Sequence, residues 1–258
     1  MPGAAADGVL VGLSGWAYPK WQGDFYPPHL PASKRLTFAA GHFPTLEINA
    51  TFYSLQRVTS YVRWYDSTPE GFVFAVKGGR FMTHNKRLRD VGQGLANFFA
   101  SGPLALREKL GPVLWQVPAT LQFDPGLIRD FLTQLPRSTL EAATLAARHD
   151  ERVRGGVEVH ADADRPLAHA LEVRHPSFDQ PAFLDLAREF NVACVVSDSP
   201  TWPLFEYQTA DFAYVRLHGA SRLYASGYGP DAIDAWSAKV KAWAASGPVF
   251  VYFDNDIE

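Results

Sequence analysis

His169-Ala-Leu-Glu-Val-Arg-His175 begins as a short apolar run and ends in three ionisable side chains within four positions. Seven other stretches are built in the same way, so the chain carries eight such runs: Val9–Gly15, Thr45–Phe52, Phe72–Lys77, Pro112–Val117, His169–Val173, Val192–Ser197, Phe212–Leu217 and Val249–Phe253. Each is short and rich in Val, Ile, Leu or Phe, as a strand covered on both faces must be. Between most of them the spacing of apolar residues predicts helices, best over Pro103–Leu110, Pro125–Leu135, Ser138–Ala147, Pro181–Glu189 and Pro230–Ala245. Several open with Pro just inside the start, where its missing N–H costs nothing. In the last helix Ile233, Trp236, Val240 and Trp243 recur at three and four, the stripe of a helix lying on a sheet. Strand–helix alternation implies parallel strands, and eight of them favour closure into a TIM-type (β/α)8 barrel over an open sheet.

The bulk properties fit one such domain over residues 1–258. Hydrophobic residues make up 47%, ample for a large core. The net charge of -3 argues against a generally basic protein that coats nucleic acid. The lone Cys194 sits in an apolar run and reads as a buried structural thiol. No stretch approaches a membrane span, and the start MPGAAADG lacks a secretory h-region, so a cytoplasmic location is expected. Residues 137–167 read as an insertion before the fifth strand, its charged part running from Arg148 to Arg165. Pro200 and Pro203 leave little room for a helix between the sixth and seventh runs, and the final helix of the barrel is missing.

The chemistry gathers at the C-terminal ends of the runs. These are Ser14-Gly15-Trp16, Glu47-Ile48-Asn49, Lys77, Gln116, Glu172-Val173-Arg174-His175, Asp198, Arg216-Leu217-His218 and Asp254-Asn255. Alternation puts Glu47 with Asn49, Glu172 with Arg174, and Arg216 with His218 on shared faces. In a barrel those faces point inward at the mouth where the βα loops build active sites. The N-terminal ends carry no comparable set.

The segments GLSGWAYPKWQGDFYP, TLEINATFYSL, FVFAVKGGRFMTHNKRL, KLGPVLWQVP, LEVRHPSF, VVSDSP, YVRLHG and VYFDN follow one another along nearly the whole chain. In this order they resemble the motifs of the family called domain of unknown function 72 (DUF72, YecE-like). The resemblance implies a barrel and no settled activity. It maps shared positions onto Trp16, Glu47, Asn49, Phe52, Tyr53, Lys77, His84, Gln116, Glu172, Arg174, His175, Asp198, Arg216, His218 and Asn255. It also implies a closing helix after the eighth strand, which this chain lacks.

Glu47, Glu172, His175, Asp198 and His218 are ligand types suited to Zn or Mn. Lys77, Arg174 and Arg216 from the same ring oppose a bound dication, however, and no HxH or HExxH spacing occurs. The expected site is therefore an anion pocket, either free of any cofactor or holding a divalent metal weakly. Arg and Lys converging with His offer the donors that phosphate needs.

The loop from Lys77 through Arg80 and His84 to Arg89 holds five cations within thirteen positions and could rim that pocket. Its Gly78-Gly79 pair would permit close backbone approach to a ligand, while aromatics after the first two runs, among them Trp16 and Tyr53, suit stacking.

The resulting expectation is a hydrolase acting on a phosphodiester or sugar phosphate. Glu47, Glu172, His218 and Asp198 are its catalytic candidates, and Trp16, Asn49, Tyr53, Lys77, Arg80, His84, Gln116, Arg174, His175, Arg216 and Asn255 its substrate contacts. Two alternatives stay open: a non-catalytic nucleic-acid or nucleotide binder, and a glycosidase-like enzyme using paired carboxylates.

Overall fold

Runs of Val, Ile and Phe that pack on both faces form nine parallel strands: β1 (Val9–Ser14), β2 (Thr45–Ile48), β3 (Val73–Lys77), β4 (Leu110–Gln116), β5 (His169–Glu172), β6 (Val192–Cys194), β7 (Val196–Asp198), β8 (Ala213–Leu217) and β9 (Val249–Phe253). The structure is a computed structural model that describes residues 8–219, 221–223 and 226–255. The strands hydrogen-bond in the order β6-β5-β4-β3-β2-β1-β9-β8-β7, all parallel. Because β6 and β7 are the two halves of the single run expected at 192–197, this order wraps an eight-staved TIM-type barrel. The run is broken at Val195, whose N–H donates to Leu171 O at 3.1 Å.

Around the barrel lie α1 (Arg35–Ala40), α2 (Ala50–Tyr53), α3 (Val58–Asp66), α4 (Gly92–Ala100), α5 (Pro125–Thr133), α6 (Thr139–Ala146), α7 (Pro181–Glu189) and α8 (Pro230–Ala244). Asp124 and Ser138 cap α5 and α6 through their side chains. The helix expected at 103–110 is instead a 3-10 segment, Pro103–Lys109, interrupted at Arg107, where φ is 52°. As expected from Pro200 and Pro203, no helix separates β7 from β8. Within 137–167, α6 is followed by a stretch without regular structure. Its ends are tied by Thr139 N–H to Arg165 O (3.0 Å) and Leu167 N–H to Arg137 O (2.9 Å). The N-terminal residues 1–7 and any closing segment beyond Asn255 lie outside the described residues.

Two apolar zones sandwich the sheet. Inside the barrel Leu10, Val73, Ala75, Leu114, Ala170, Ala193, Val195, Tyr214, Phe250 and Tyr252 pack together. The small residues opposite the large rings let the layers interlock, and Gly12 is the extreme case, since a Cβ there would lie 2.0 Å from Thr45 O. Outside, Trp115 is fully buried against Phe98 and Phe131. Its Nε1 donates to His169 Nδ1 at 3.1 Å, so His169 carries its proton on Nε2 and donates to Pro136 O at 2.7 Å. Burial pushes His169 down to about 4. Cys194 is buried as expected, and burial pushes its thiol up to about 12, which keeps it protonated and inert.

Candidate functional site at the barrel mouth

The side chains above the apolar layer are ionic. Strand parity sends Ser14, Glu47, Lys77, Gln116, Glu172, Ser197, Arg216, His218 and Asp254 to the barrel axis at its C-terminal end, and all but Asp254 are buried. Arg216, with no exposure at all, stands at the centre. Its Nε and Nη2 donate to Glu47 Oε2 (3.1 Å) and Oε1 (2.8 Å), and its Nη1 donates to Glu172 Oε2 (2.8 Å). Nη2 also lies 3.0 Å from Ser14 Oγ and 2.9 Å from Asp254 Oδ2.

Glu47 is further held by Ser14 Oγ (2.5 Å) and the Tyr214 hydroxyl (2.7 Å). Glu172 Oε1 accepts from Arg174 Nε at 2.7 Å. His218 spans two carboxylates, with Nδ1 2.9 Å from Asp254 Oδ2 and Nε2 3.6 Å from Glu172 Oε1.

This network fixes the charge states. Burial alone would raise the Glu172 carboxyl, but Arg174 and Arg216, then His218, hold it well below the usual range. Asp254 is likewise held low by Arg216 and His218 against the effect of burial. Arg216 rises far above its ordinary value despite burial, because Asp254, Glu47 and Glu172 surround it. Three carboxylates (Glu47, Glu172, Asp254) thus face three cations (Lys77, Arg174, Arg216), with both oxygens of Glu47 and Glu172 and Oδ2 of Asp254 committed to the network. Among the described residues no three His, Cys, Asp or Glu are grouped so as to hold a metal.

Above this floor lie groups with spare donors. The Lys77 Nζ sits 4.6 Å from the Phe52 ring centroid and bonds to none of the described residues. Burial, reinforced by Arg216, pushes its amine down to about 8. His84 also meets the Phe52 ring in a T-shaped contact at 5.1 Å, with its Nδ1 2.9 Å from Thr83 Oγ1. Burial and the charges of Arg174, Lys77 and Arg80 hold His84 below its ordinary value. The Arg174 guanidinium stacks 3.9 Å over Trp202, whose Nε1 donates to Ser197 Oγ at 2.9 Å. Asn49 Nδ2 donates to Ser14 Oγ (2.8 Å), which leaves Asn49 Oδ1 buried without a partner.

The expected residues divide by strand parity. Glu47, Glu172, His218, Lys77, Arg174, Arg216, Asn49 and Gln116 converge on the mouth, joined by His84 from the π-helical turn Phe81–Asn85 that forms within the expected loop. Asp198, His175 and Asn255 do not, because each is one residue out of phase. Ser197, not Asp198, faces Glu172 (3.4 Å), and the Asp198 carboxylate interacts with Tyr228 on the outer side. His175 Nδ1 accepts from Ser177 N–H (3.1 Å) and caps the 176–178 turn. Asn255 donates to Ser226 O at 3.1 Å.

Trp16 packs outside the sheet against Trp64 and Phe74. Tyr53, 70% exposed, and Arg80 instead line a neighbouring cleft of about 600 Å³ with Phe52 and Phe81. Gly78 makes room for protein, since its Cβ would meet the Trp115 ring at 2.2 Å. Sequence reasoning missed Asp254 and Ser14 as partners of Arg216 and Tyr214 as a partner of Glu47, although period two along β1, β8 and β9 points to all three.

Comparison with known proteins agrees with this architecture. A DUF72 family protein from Thermotoga maritima superposes with a TM-score of 0.75 at 25% identity, over 96% of this chain and 92% of that one. One from Enterococcus faecalis gives 0.64 at 19% identity, over 96% and 90%, which bears on the fold alone. Among curated sequences, the UPF0759 protein YunF of Bacillus subtilis is 31% identical over 43% of this chain and 40% of its own length. The UPF0759 protein YecE of Escherichia coli K12 is 30% identical over 50% and 44%. The matched region thus spans under half the length of these curated relatives. Residues 10–258 match the family described as "Protein of unknown function DUF72", and the chain belongs to that family.

Proposed function

We propose that the mouth binds the phosphate of a small ester and that the chain hydrolyses it. The observation that carries this reading is the set of spare donors: Lys77 and Arg174, with His84 between the basic loop and Phe52, stand above a floor whose carboxylates are already neutralised. Donors fixed in a partly dry site stabilise the charge that builds on a transferring phosphoryl group. The Glu47 and Glu172 oxygens are occupied by Arg216, Arg174, Ser14 and Tyr214, so these carboxylates orient the cations. Proton transfer then falls to His84. Its lowered value leaves it neutral near pH 7, ready to take a proton from an attacking water.

The cleft beside the mouth favours a second reading, in which the ligand is a nucleotide or a single strand. Exposed Tyr53 and Phe81 there offer stacking faces, while Arg80, Lys86 and Arg152 offer cations.

A panel of phosphomonoesters and phosphodiesters tests the first reading. Arg174→Ala should lower kcat/KM about 100-fold, whereas full turnover in both Arg174→Ala and Lys77→Ala would show that the mouth is not responsible. Binding of a single-stranded oligonucleotide that weakens as salt rises, without turnover of any ester, would favour the second.

A further inference from the structure

Among the described residues two lysines are buried, and they differ in one respect. Lys109 is saturated: its Nζ donates to Tyr65 O and Thr68 O, both at 2.7 Å, and to Thr68 Oγ1 at 3.2 Å. Lys77, equally buried, donates to nothing among the described residues. A lysine serving only to balance three carboxylates would pair with one of them, yet Glu47, Glu172 and Asp254 are all engaged by Arg216, Arg174 or His218.

The backbone around Lys77 is held firmly. Its carbonyl accepts from Thr51 Oγ1 (2.6 Å), and the next residue, Gly78, donates N–H to Leu114 O (2.7 Å). The side chain is therefore anchored at its base, and its amine lies over the Phe52 ring.

We infer that Lys77 is a carbonyl-capturing amine, which forms an imine with a small aldehyde or ketone whose anionic group is held by Arg174. The neutral Nζ adds its lone pair to the carbonyl carbon, and the C=O π pair moves to oxygen. A proton passes from nitrogen to that oxygen to give a carbinolamine. Protonation of the hydroxyl releases water as the C=N bond forms, so amine and carbonyl give imine and water with no redox change.

Two features of the site suit this step. With its value pushed down to about 8, about a quarter of Lys77 is neutral at pH 7.5, against about one part in a thousand for an ordinary lysine. The positive charge of a protonated imine would fall within the field of Glu47, Asp254 and Glu172, which already act on the amine. Imine formation also makes neighbouring C–H and C–C bonds labile, a class of chemistry distinct from ester hydrolysis. The inference shares with the hydrolytic reading only the anion contact at Arg174, because Nζ cannot hold a phosphate and attack a carbonyl at once.

Reductive trapping tests it on the unaltered protein. The chain is incubated at pH 7.5 with glyceraldehyde 3-phosphate, or with glyceraldehyde, plus cyanoborohydride, and the modified lysines are mapped by peptide mass spectrometry. The inference expects Lys77 to take at least about 10-fold more adduct than the exposed Lys34 and Lys86, following its larger neutral fraction. Adducts on Lys34 and Lys86 with Lys77 unmodified would overturn it. Equal capture of both aldehydes at Lys77 would uphold the amine and count against the anion contact. Preferential capture of the phosphorylated one would support both. Failure of every ester in the hydrolysis panel would leave the trapping result standing.

Discussion

Glu47 and Arg216 meet side-on across the barrel, β2 to β8, with Nη2–Oε1 at 2.8 Å, Nε–Oε2 at 3.1 Å and neither side chain exposed. The fork accounts for both carboxylate oxygens and leaves Nη1 for Glu172. Such a pair is weak evidence of net stabilisation, but removing one partner strands buried charge.

Arg216→Met should therefore cost about 3–5 kcal/mol in urea or guanidinium unfolding, since it leaves Glu47 and Glu172 buried without their cation. Glu47→Gln in the Arg216→Met background should recover part of that loss. Additive single effects would show that the two side chains act independently.

The pH dependence of stability has a distinct upper limb set by His169. Its value in the fold is about 4 against an ordinary 6.5. Between those pH values the unfolded chain binds the extra proton, so stability is fully present above pH 6.5 and is lost as pH falls through 4, by up to about 3 kcal/mol. Glu172 and Asp254 are also depressed, and their contribution disappears lower, below their ordinary values of 4.5 and 3.8. His169→Gln, which keeps an acceptor for Trp115 and a donor for Pro136, should flatten the limb between pH 6.5 and 4 and spare the lower one. Unfolding curves at pH 7, 5 and 4 check this, and an unchanged upper limb would remove His169 as its source.

Most of the fold was legible because apolar runs and their spacing are local. Seven of the eight runs each gave one strand, although Thr45–Phe52 passes into α2 at Ala50, and the sixth run broke at Val195, where closing the barrel turns one strand from β5 toward β8, a tertiary demand that no local pattern carries. The site was legible wherever period two was followed from a buried partner. Continued from Val195, that rule reaches Ser197 instead of Asp198, and from Glu172 it reaches Arg174 instead of His175. From Tyr252 it reaches Asp254 instead of Asn255. The pairing of Glu47 with Arg216 joins residues 169 apart and depends on closure of the barrel. Trp202, which holds Arg174, sits in an irregular segment with no periodicity to read.

Gly78 should tolerate no side chain. A Cβ there would stand 2.2 and 2.3 Å from Trp115 Cε3 and Cζ3, and Trp115 is pinned by Phe98, Phe131 and its bond to His169. Gly78→Ala should cost about 3 kcal/mol by overpacking. It should also move the adjacent Lys77, so a Tm drop is expected together with loss of aldehyde capture. Gly79→Ala is the matched control, its nearest contact being an ordinary 3.5 Å to Met82. Equal Tm values for the two variants would show that the Trp115 ring can yield.

Arg174 links anion binding to an optical signal. Its guanidinium is 3.9 Å above the Trp202 ring and is bound to Glu172, while the Trp202 ring meets His218 edge-on at 5.2 Å. An anion drawing on the outer N–H groups of Arg174 must shift the cation relative to the indole face and so change its emission. Titration with inorganic phosphate should give a saturable tryptophan fluorescence change that weakens as salt rises. Trp202→Phe should remove that change while calorimetric affinity stays within about fivefold, since stacking of a cation on a half-buried ring contributes about 1 kcal/mol. Arg174→Lys should weaken binding about 10-fold, because an ammonium cannot engage Glu172 and the anion with one planar fork. Phosphate affinity that survives Arg174→Lys unchanged would place the anion elsewhere and detach Trp202 from the site.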